Sequence, residues 1–190
     1  MAKKQPEKVY QFHVSLKHGK PKIWRRFLVA EDATLEKLHK IIQEVMGWED
    51  YHLHEFEIGG IKFGIPDEEW ENDAENEKKF KLADLILAEK QKFEYVYDFG
   101  DNWQHEIKVE KILPFDSTVK YPKCLDGKLA CPPEDCGGIW GYEELSELSK
   151  LPKEDLSEDD ADRLEWLGDY DFGHFSVDDV NAVLWKRFSK

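Results

Sequence analysis

The chain has 190 residues, 41% hydrophobic and 13% aromatic, enough apolar matter for a real core, so global disorder is excluded despite 36% charged residues. The formal net charge of −14 disfavours general nucleic-acid binding, because neutralising phosphates takes dense Lys and Arg. No apolar run approaches the roughly 18–20 residues of a membrane span, the start MAKKQPEKVY lacks the apolar stretch of a secretory signal, and three cysteines, an odd number, point to a reducing, cytoplasmic setting.

In chain order, KVYQFHVSLK alternates, with Tyr10, Phe12, Val14 and Leu16 as the apolar face of a strand. HGKPK turns the chain into a second strand, KIWRRFLVA, making a hairpin. In DATLEKLHKIIQEVMGW, Thr34 is an N-cap, Leu35, Leu38, Ile41, Ile42 and Val45 form one apolar stripe, and Gly47 is the C-cap of an amphipathic helix. HLHEFEIGG is a third strand, giving a ββαβ start that resembles ubiquitin-like folds in architecture alone. A short strand IKFGI leads into the acidic stretch PDEEWENDAENEKK, read as a solvated loop, and LADLILAE is a short helix. KFEYVYDFGDNWQHEIKVEKIL is a second hairpin, with Phe93, Tyr95, Tyr97 and Phe99 in phase on one strand and Trp103, His105, Ile107 and Val109 on the other. Three helices follow, at about 140–150, 154–167 and 177–188, the last opened by Ser176 with Asp179 three residues on. The expected fold is α+β: a single domain with a hairpin, helix and sheet core over 8–113, a Cys/Pro/Gly connector over 114–139, and a C-terminal helical group over 140–190.

Charge is uneven. Residues 1–48 carry ten Lys and Arg against five Asp and Glu, while residues 134–171 carry three against fourteen. The acidic third reads as a solubilising surface or, more sharply, as a face for a basic partner. Most of the seven tryptophans are expected in the core; Trp70, among the charges of the acidic loop, is the expected partner contact.

Three constellations could carry chemistry. Cys124, Cys131 and Cys136 could supply zinc thiolates, with His105 as the fourth ligand. Their C-x6-C-x4-C spacing matches no common zinc knuckle. An LDGKLA turn could bring the first two together, but Pro132 and Pro133 could equally aim Cys131 into the core as a small hydrophobe. Asp98, Asp101, His105, Glu134 and Asp135 could gather at one sheet edge, suited to a hard cation or to acid–base work, with Asp101, His105 and Asp135 as the catalytic candidates. The plain alternative is that the acids serve turns and that His105 is a hydrogen-bonded core histidine. His52 and His54, two apart on one strand, could also hold a metal. The usual phosphate-loop, dinucleotide, zincin and nucleophile-elbow motifs are absent from the sequence.

KIWRRFLV, HLHEFEIGG, YVYDFGDNWQHEI and CLDGKLACPPEDCGGIWGYEEL, with WLGDYDF near the end, together resemble the plasmid pRiA4b ORF-3-like family over most of the chain. The segments that carry the resemblance hold Tyr97, Asp98, Gly100, Asp101, Trp103 and His105, then Pro132, Pro133, Glu134, Asp135, Gly137 and Gly138. The resemblance implies an α+β fold and no established biochemical activity; some members are labelled transposon resolvases because they occur on mobile elements. Recombinase chemistry needs a nucleophile held among several arginines. This chain has four, Arg25, Arg26, Arg163 and Arg187, spread along its length. The expectation is therefore a cytoplasmic binding or interaction module for a protein or small molecule, without catalysis or a required cofactor. The alternatives are a zinc protein built on the cysteines, and an accessory protein of mobile DNA that contacts it through the basic N-terminal hairpin.

Overall fold

The computed structural model describes residues 5–66 and 73–188. On β1 (Lys8–Leu16) the alternating set Tyr10, Phe12, Val14 and Leu16 is buried. β1 pairs antiparallel with β2 (Trp24–Ala30). α1 (Leu35–Met46) begins where the Thr34 hydroxyl accepts the Lys37 amide at 3.2 Å and ends at Gly47, left-handed at φ 106°. All five stripe residues of α1 are buried, a burial that contributes on the order of 10 kcal/mol before conformational entropy is subtracted. His39 and Gln43 share that buried face.

The remaining strands are β3 (His54–Ile58), β4 (Ile61–Gly64), β5 (Glu75–Asn76), β6 (Lys92–Tyr97), β7 (Trp103–Pro114) and β8 (Lys123–Lys128). They form one mixed sheet in the order β5-β4-β3-β6-β7-β1-β2-β8, with β4–β5 parallel and the other pairs antiparallel. The class is α+β. The ββαβ chain order is present, but β3 does not return beside β1: the β6–β7 hairpin lies between them. α2 (Leu82–Leu85) is a single turn, and α3 (Gly138–Leu148), α4 (Glu158–Leu167) and α5 (Val177–Phe188) close the chain. α5 packs on β8 and α1. Its Asn181 amide accepts from the Cys124 N–H at 2.8 Å and donates to the Cys124 carbonyl at 3.0 Å, filling the place of a ninth strand at the sheet edge.

Several expectations are corrected. LDGKLA is not a tight turn: its first four residues belong to β8, where Arg26 stands opposite Asp126 and Arg25 opposite Gly127. The 114–139 connector therefore contains a strand. Phe99 leaves the β6 phase for the turn and is exposed. Among the described tryptophans only Trp48 and Trp103 are buried, while Trp140 is 74% and Trp166 57% exposed. Trp70 lies outside the described residues. The acidic stretch is not wholly solvated, since Glu77 is 1% exposed beneath His54.

Candidate metal centre

Three loops meet at one end of the sheet. The α1–β3 loop is fixed to the β6–β7 turn by the Asp98 N–H, which donates to the Leu53 carbonyl at 2.9 Å. Asp98 is left-handed at φ 54°, a conformation aspartate tolerates. Its Oδ1 accepts the Gly100 amide at 2.8 Å, leaving Oδ2 for other use. The third loop, leading into α3, is held by the Trp48 indole donating to the Pro132 carbonyl at 3.0 Å. The Gly137 amide donates to Asp101 Oδ2 at 3.2 Å. At Gly138, φ 67°, a side-chain carbon would lie 2.5 Å from the Asp101 carbonyl oxygen, so only glycine lets this loop reach the turn.

The junction orients four side chains toward one point. His52 Nε2 lies 3.3 Å from Asp135 Oδ1, 3.7 Å from Asp98 Oδ2 and 3.8 Å from Glu134 Oε2. Glu134 Oε1 is committed elsewhere: it accepts the Glu49 amide at 2.9 Å and the Tyr97 hydroxyl at 3.0 Å. Burial, then the bond to Glu134, pushes the Tyr97 hydroxyl well up, so it stays a proton donor. Both His52 Nε2 and Glu134 Oε2 are buried atoms without a hydrogen-bond partner, and the Asp98 side chain is 8% exposed. Donors on a cation with bonds of about 2.0–2.2 Å stand about 3.0–3.5 Å apart, close to the separations seen here. Among the described residues, one group of three metal-ligating side chains gathers its donor atoms within 4.8 Å, namely His52, Asp98 and Asp135. Glu134 stands beside them as a fourth donor.

The structure thus joins members of two predicted constellations. Asp98, Glu134 and Asp135, left open in the sequence between a shared site and service in turns, lie together around His52, and Asp101 supports the loop through Gly137. His105 does not join them: it is fully buried, its Nδ1 3.3 Å from the Tyr95 carbonyl oxygen and its ring edge-on to Trp48. Its place is taken by His52. The cysteines do not form such a group among the described residues. The Cys124 thiol, on β8, points to the Arg26 and Asp126 carbonyls at 3.7 and 3.8 Å, and Cys136 points to the Gly138 carbonyl at 3.9 Å. Burial pushes the thiols up, Cys124 to about 11 and Cys136 to about 12, the opposite of what a reactive thiolate needs.

His54 parts from His52 and enters a buried network that the sequence did not show. His54 Nε2 meets Glu77 Oε2 at 2.8 Å, and its ring stacks on His39 with centroids 3.4 Å apart. Gln43 donates to the Tyr95 hydroxyl at 2.9 Å, so that hydroxyl donates onward to His39 Nδ1 at 2.8 Å. His39 Nε2–H then donates to Asp50 at 2.7 Å. Burial first, then the neighbouring His54, lowers His39 to about 4, so it is a neutral imidazole of fixed tautomer. The only available signal was His39 and Gln43 lying in phase with the apolar stripe of α1.

The family profile described as plasmid pRiA4b ORF-3-like protein matches residues 8–179. An uncharacterized protein, y4hQ, from Sinorhizobium fredii (strain NBRC 101917 / NGR234) is 38% identical over 189 residues, which span 94% of this chain and 95% of that one. The crystal structure of a protein of unknown function, MM3350, from Methanosarcina mazei Go1 superposes with a TM-score of 0.82 at 44% identity, covering 92% of this chain and 98% of that one.

Proposed function

The chain belongs to the plasmid pRiA4b ORF-3-like family, and we propose that it is a metal-binding protein that holds one divalent first-row ion between His52, Asp98 and Asp135, with Glu134 as fourth donor. The carrying observation is the buried, unpartnered His52 Nε2 ringed by three carboxylate oxygens at 3.3–3.8 Å. One imidazole with carboxylates suits a borderline ion such as Zn²⁺ or Mn²⁺ better than Ca²⁺, which takes oxygen alone. The outer support is of the kind metal sites use: Tyr97 and the Glu49 amide orient Glu134, and Gly100 orients Asp98.

The reading departs from the expectation of a module without a required cofactor, and it places the ion on carboxylates where the zinc alternative had thiolates. The test is calorimetric titration of chelator-stripped protein with Zn²⁺ and Mn²⁺. One ion per chain is expected, weakened by more than about tenfold in His52→Ala and in Asp98→Asn and retained in the Cys131→Ser, Cys136→Ser double variant. Absence of stoichiometric binding, or loss with the cysteines alone, refutes it.

Nothing comparable supports DNA contact through the N-terminal hairpin. Arg25 is 2% exposed and bonded to the carbonyls of Val45, Trp24 and Lys128, and Arg26 chelates Glu110. Arg163 pairs with Glu144 and Arg187 with Glu44, so every arginine is engaged within the chain.

A further inference from the structure

The helix α4 has ten residues, none of them buried. Its inner side is set by Leu164 and Leu167, which pack against the core, and by Arg163, which holds Glu144 of α3 at 3.0 Å. Asp160 is used in the cap, where the Ser157 hydroxyl accepts its amide at 3.2 Å. The rest of the helix faces solvent. Glu158, Asp162 and Glu165 recur at i, i+4 and i+7, and Asp159, Asp162 and Trp166 at i, i+3 and i+7. Four acids and one indole therefore share a single exposed face.

Two features of that face are unexplained by the fold itself. Like charges three and four residues apart destabilise a helix, and Glu158–Asp162, Asp159–Asp162 and Asp162–Glu165 are three such pairs. Trp166 is 57% exposed on the rim of a groove of about 330 Å³, floored by Leu145 at 2% exposure. Indole surface left in water beside an apolar floor marks a contact site. The surroundings do not neutralise the acids. Residues 134–171 carry three cations against fourteen acids. Of the three, Arg163 and Lys150 are bound to Glu144 and Glu147 on α3, leaving Lys153, and among the described residues none of the four acids of the face has an ion-pair partner. Glu158 and Glu165 stand seven residues apart, roughly 10 Å along the helix axis. That is farther than one small cation serves, so the matching occupant carries several charges along a chain.

We propose that the outer face of α4 docks an arginine-rich segment of a partner protein. One guanidinium lies across the Trp166 ring with its alkyl stem over Leu145 and its charge on Asp162, and further arginines meet Glu158, Asp159 and Glu165. A planar guanidinium stacks on an indole as an ammonium does not, and its stem covers apolar surface. The aromatic anchor supplies affinity and the surrounding acids select the partner and speed its approach. The docking does not rest on the metal reading. Asp135 also lines the groove, but the indole and the four acids of α4 are not among the proposed metal donors.

The probes are a short acetylated, amidated alanine peptide carrying an arginine at every third position, its counterpart with glutamine at those positions, and spermine. Each is titrated into the full chain without added metal, at physiological ionic strength, and followed by amide chemical shifts. The arginine peptide is expected to saturate with shifts centred on α4, binding about tenfold tighter than the glutamine peptide and tighter than spermine. Trp166→Ala weakens it about fivefold without changing the net charge, and Asp162→Asn about threefold. Glu57→Gln removes the same charge from the exposed face of β3 and leaves the affinity unchanged, which separates docking from attraction to an acidic chain at large. The substituted side chains are exposed, and the comparison of probes on wild-type protein decides the matter even if a variant misfolds. The proposal is overturned if the arginine peptide does not saturate at millimolar concentration, if the glutamine peptide or spermine binds as tightly, if Glu57→Gln weakens binding as much as Asp162→Asn, or if the shifts map away from α4. Shifts on α4 that appear when the protein alone is concentrated would assign the face to a second copy of the chain and overturn it too.

Discussion

Acidification from pH 7 to pH 5 is expected to cost this fold stability through two histidines, and His105 isolates the effect. His105 is fully buried, and burial lowers it to about 4, below the ordinary 6.5. Between those values the unfolded chain takes up a proton that the native ring refuses, so stability is complete at neutral pH and falls as pH falls. At pH 5 the shift corresponds to a loss of about 2 kcal/mol for this one group. His39, likewise lowered to about 4 by burial and by His54, acts in the same direction. The assay is urea unfolding of wild type and His105→Leu at pH 7 and pH 5. The variant keeps the volume against Trp48 and Tyr95 roughly filled but has no proton to exchange. Its absolute stability is immaterial; the expected result is a fall between the two pH values smaller than wild type's by about 2 kcal/mol. Parallel falls in the two proteins refute the reasoning, because the native His105 would then titrate like an ordinary imidazole.

Two further outcomes follow from single contacts. Asn181→Ala strands the buried amide and carbonyl of Cys124 at the β8 edge, and should lower unfolding stability by about 2 kcal/mol, measured by urea titration. Gly138→Ala puts a methyl group 2.5 Å from the Asp101 carbonyl oxygen at a backbone φ of 67°. The loop carrying Glu134 and Asp135 must then lift, so metal affinity should fall about tenfold although every ligand is present; unchanged affinity would show that the loop's close approach is not required.

What could be read from residues alone follows the range of the forces involved. The hairpins and α1 were legible because alternation and the 3.6-residue stripe are local, and the Thr34 and Gly47 caps mark the ends of α1 in sequence. β8 was not, because KCLDGK carries an Asp-Gly pair and a single buried side chain, Cys124. It is a strand because β2 and Asn181 supply its partners from 95 and more than 50 residues away in register and side chain alike. The LDGKLA turn that could have brought Cys124 to Cys131 is absent for the same reason, since an extended segment advances about 3.3 Å per residue and carries Cys124 away. His52 and His54 were read as one face because alternation was extended past the strand's start. β3 begins at His54, and His52, in the loop before it, turns instead to Asp98 and Asp135. Glu77 sits in a run of acids that composition marks as solvated, and only its distant partner His54 reveals it as buried.

The carboxylate cluster poses an electrostatic problem that the rest of the fold does not solve. Asp98, Glu134 and Asp135 face a single imidazole, and none of their separations from His52 Nε2, 3.3–3.8 Å, makes a hydrogen bond. A protonated His52 bonded directly to one acid would draw that oxygen in to about 2.8 Å and leave the other two unrelieved. An unpartnered buried atom costs about 1–3 kcal/mol, and here Nε2 and Glu134 Oε2 are both in that condition. Trp103 Nε1, His105 Nε2 and Trp185 Nε1 are in that condition too, but at this site two such atoms stand together, 3.8 Å apart, whereas the Gln43–Tyr95–His39–Asp50 relay is satisfied throughout. A divalent ion at the centre of the four donors accepts a lone pair from the imidazole, offsets the repulsion among the acids, and needs only a few tenths of an ångström of contraction. That economy of means, one ion relieving both the orphaned atoms and the like charges, is why the metal reading is preferred to a cluster of merely solvated acids.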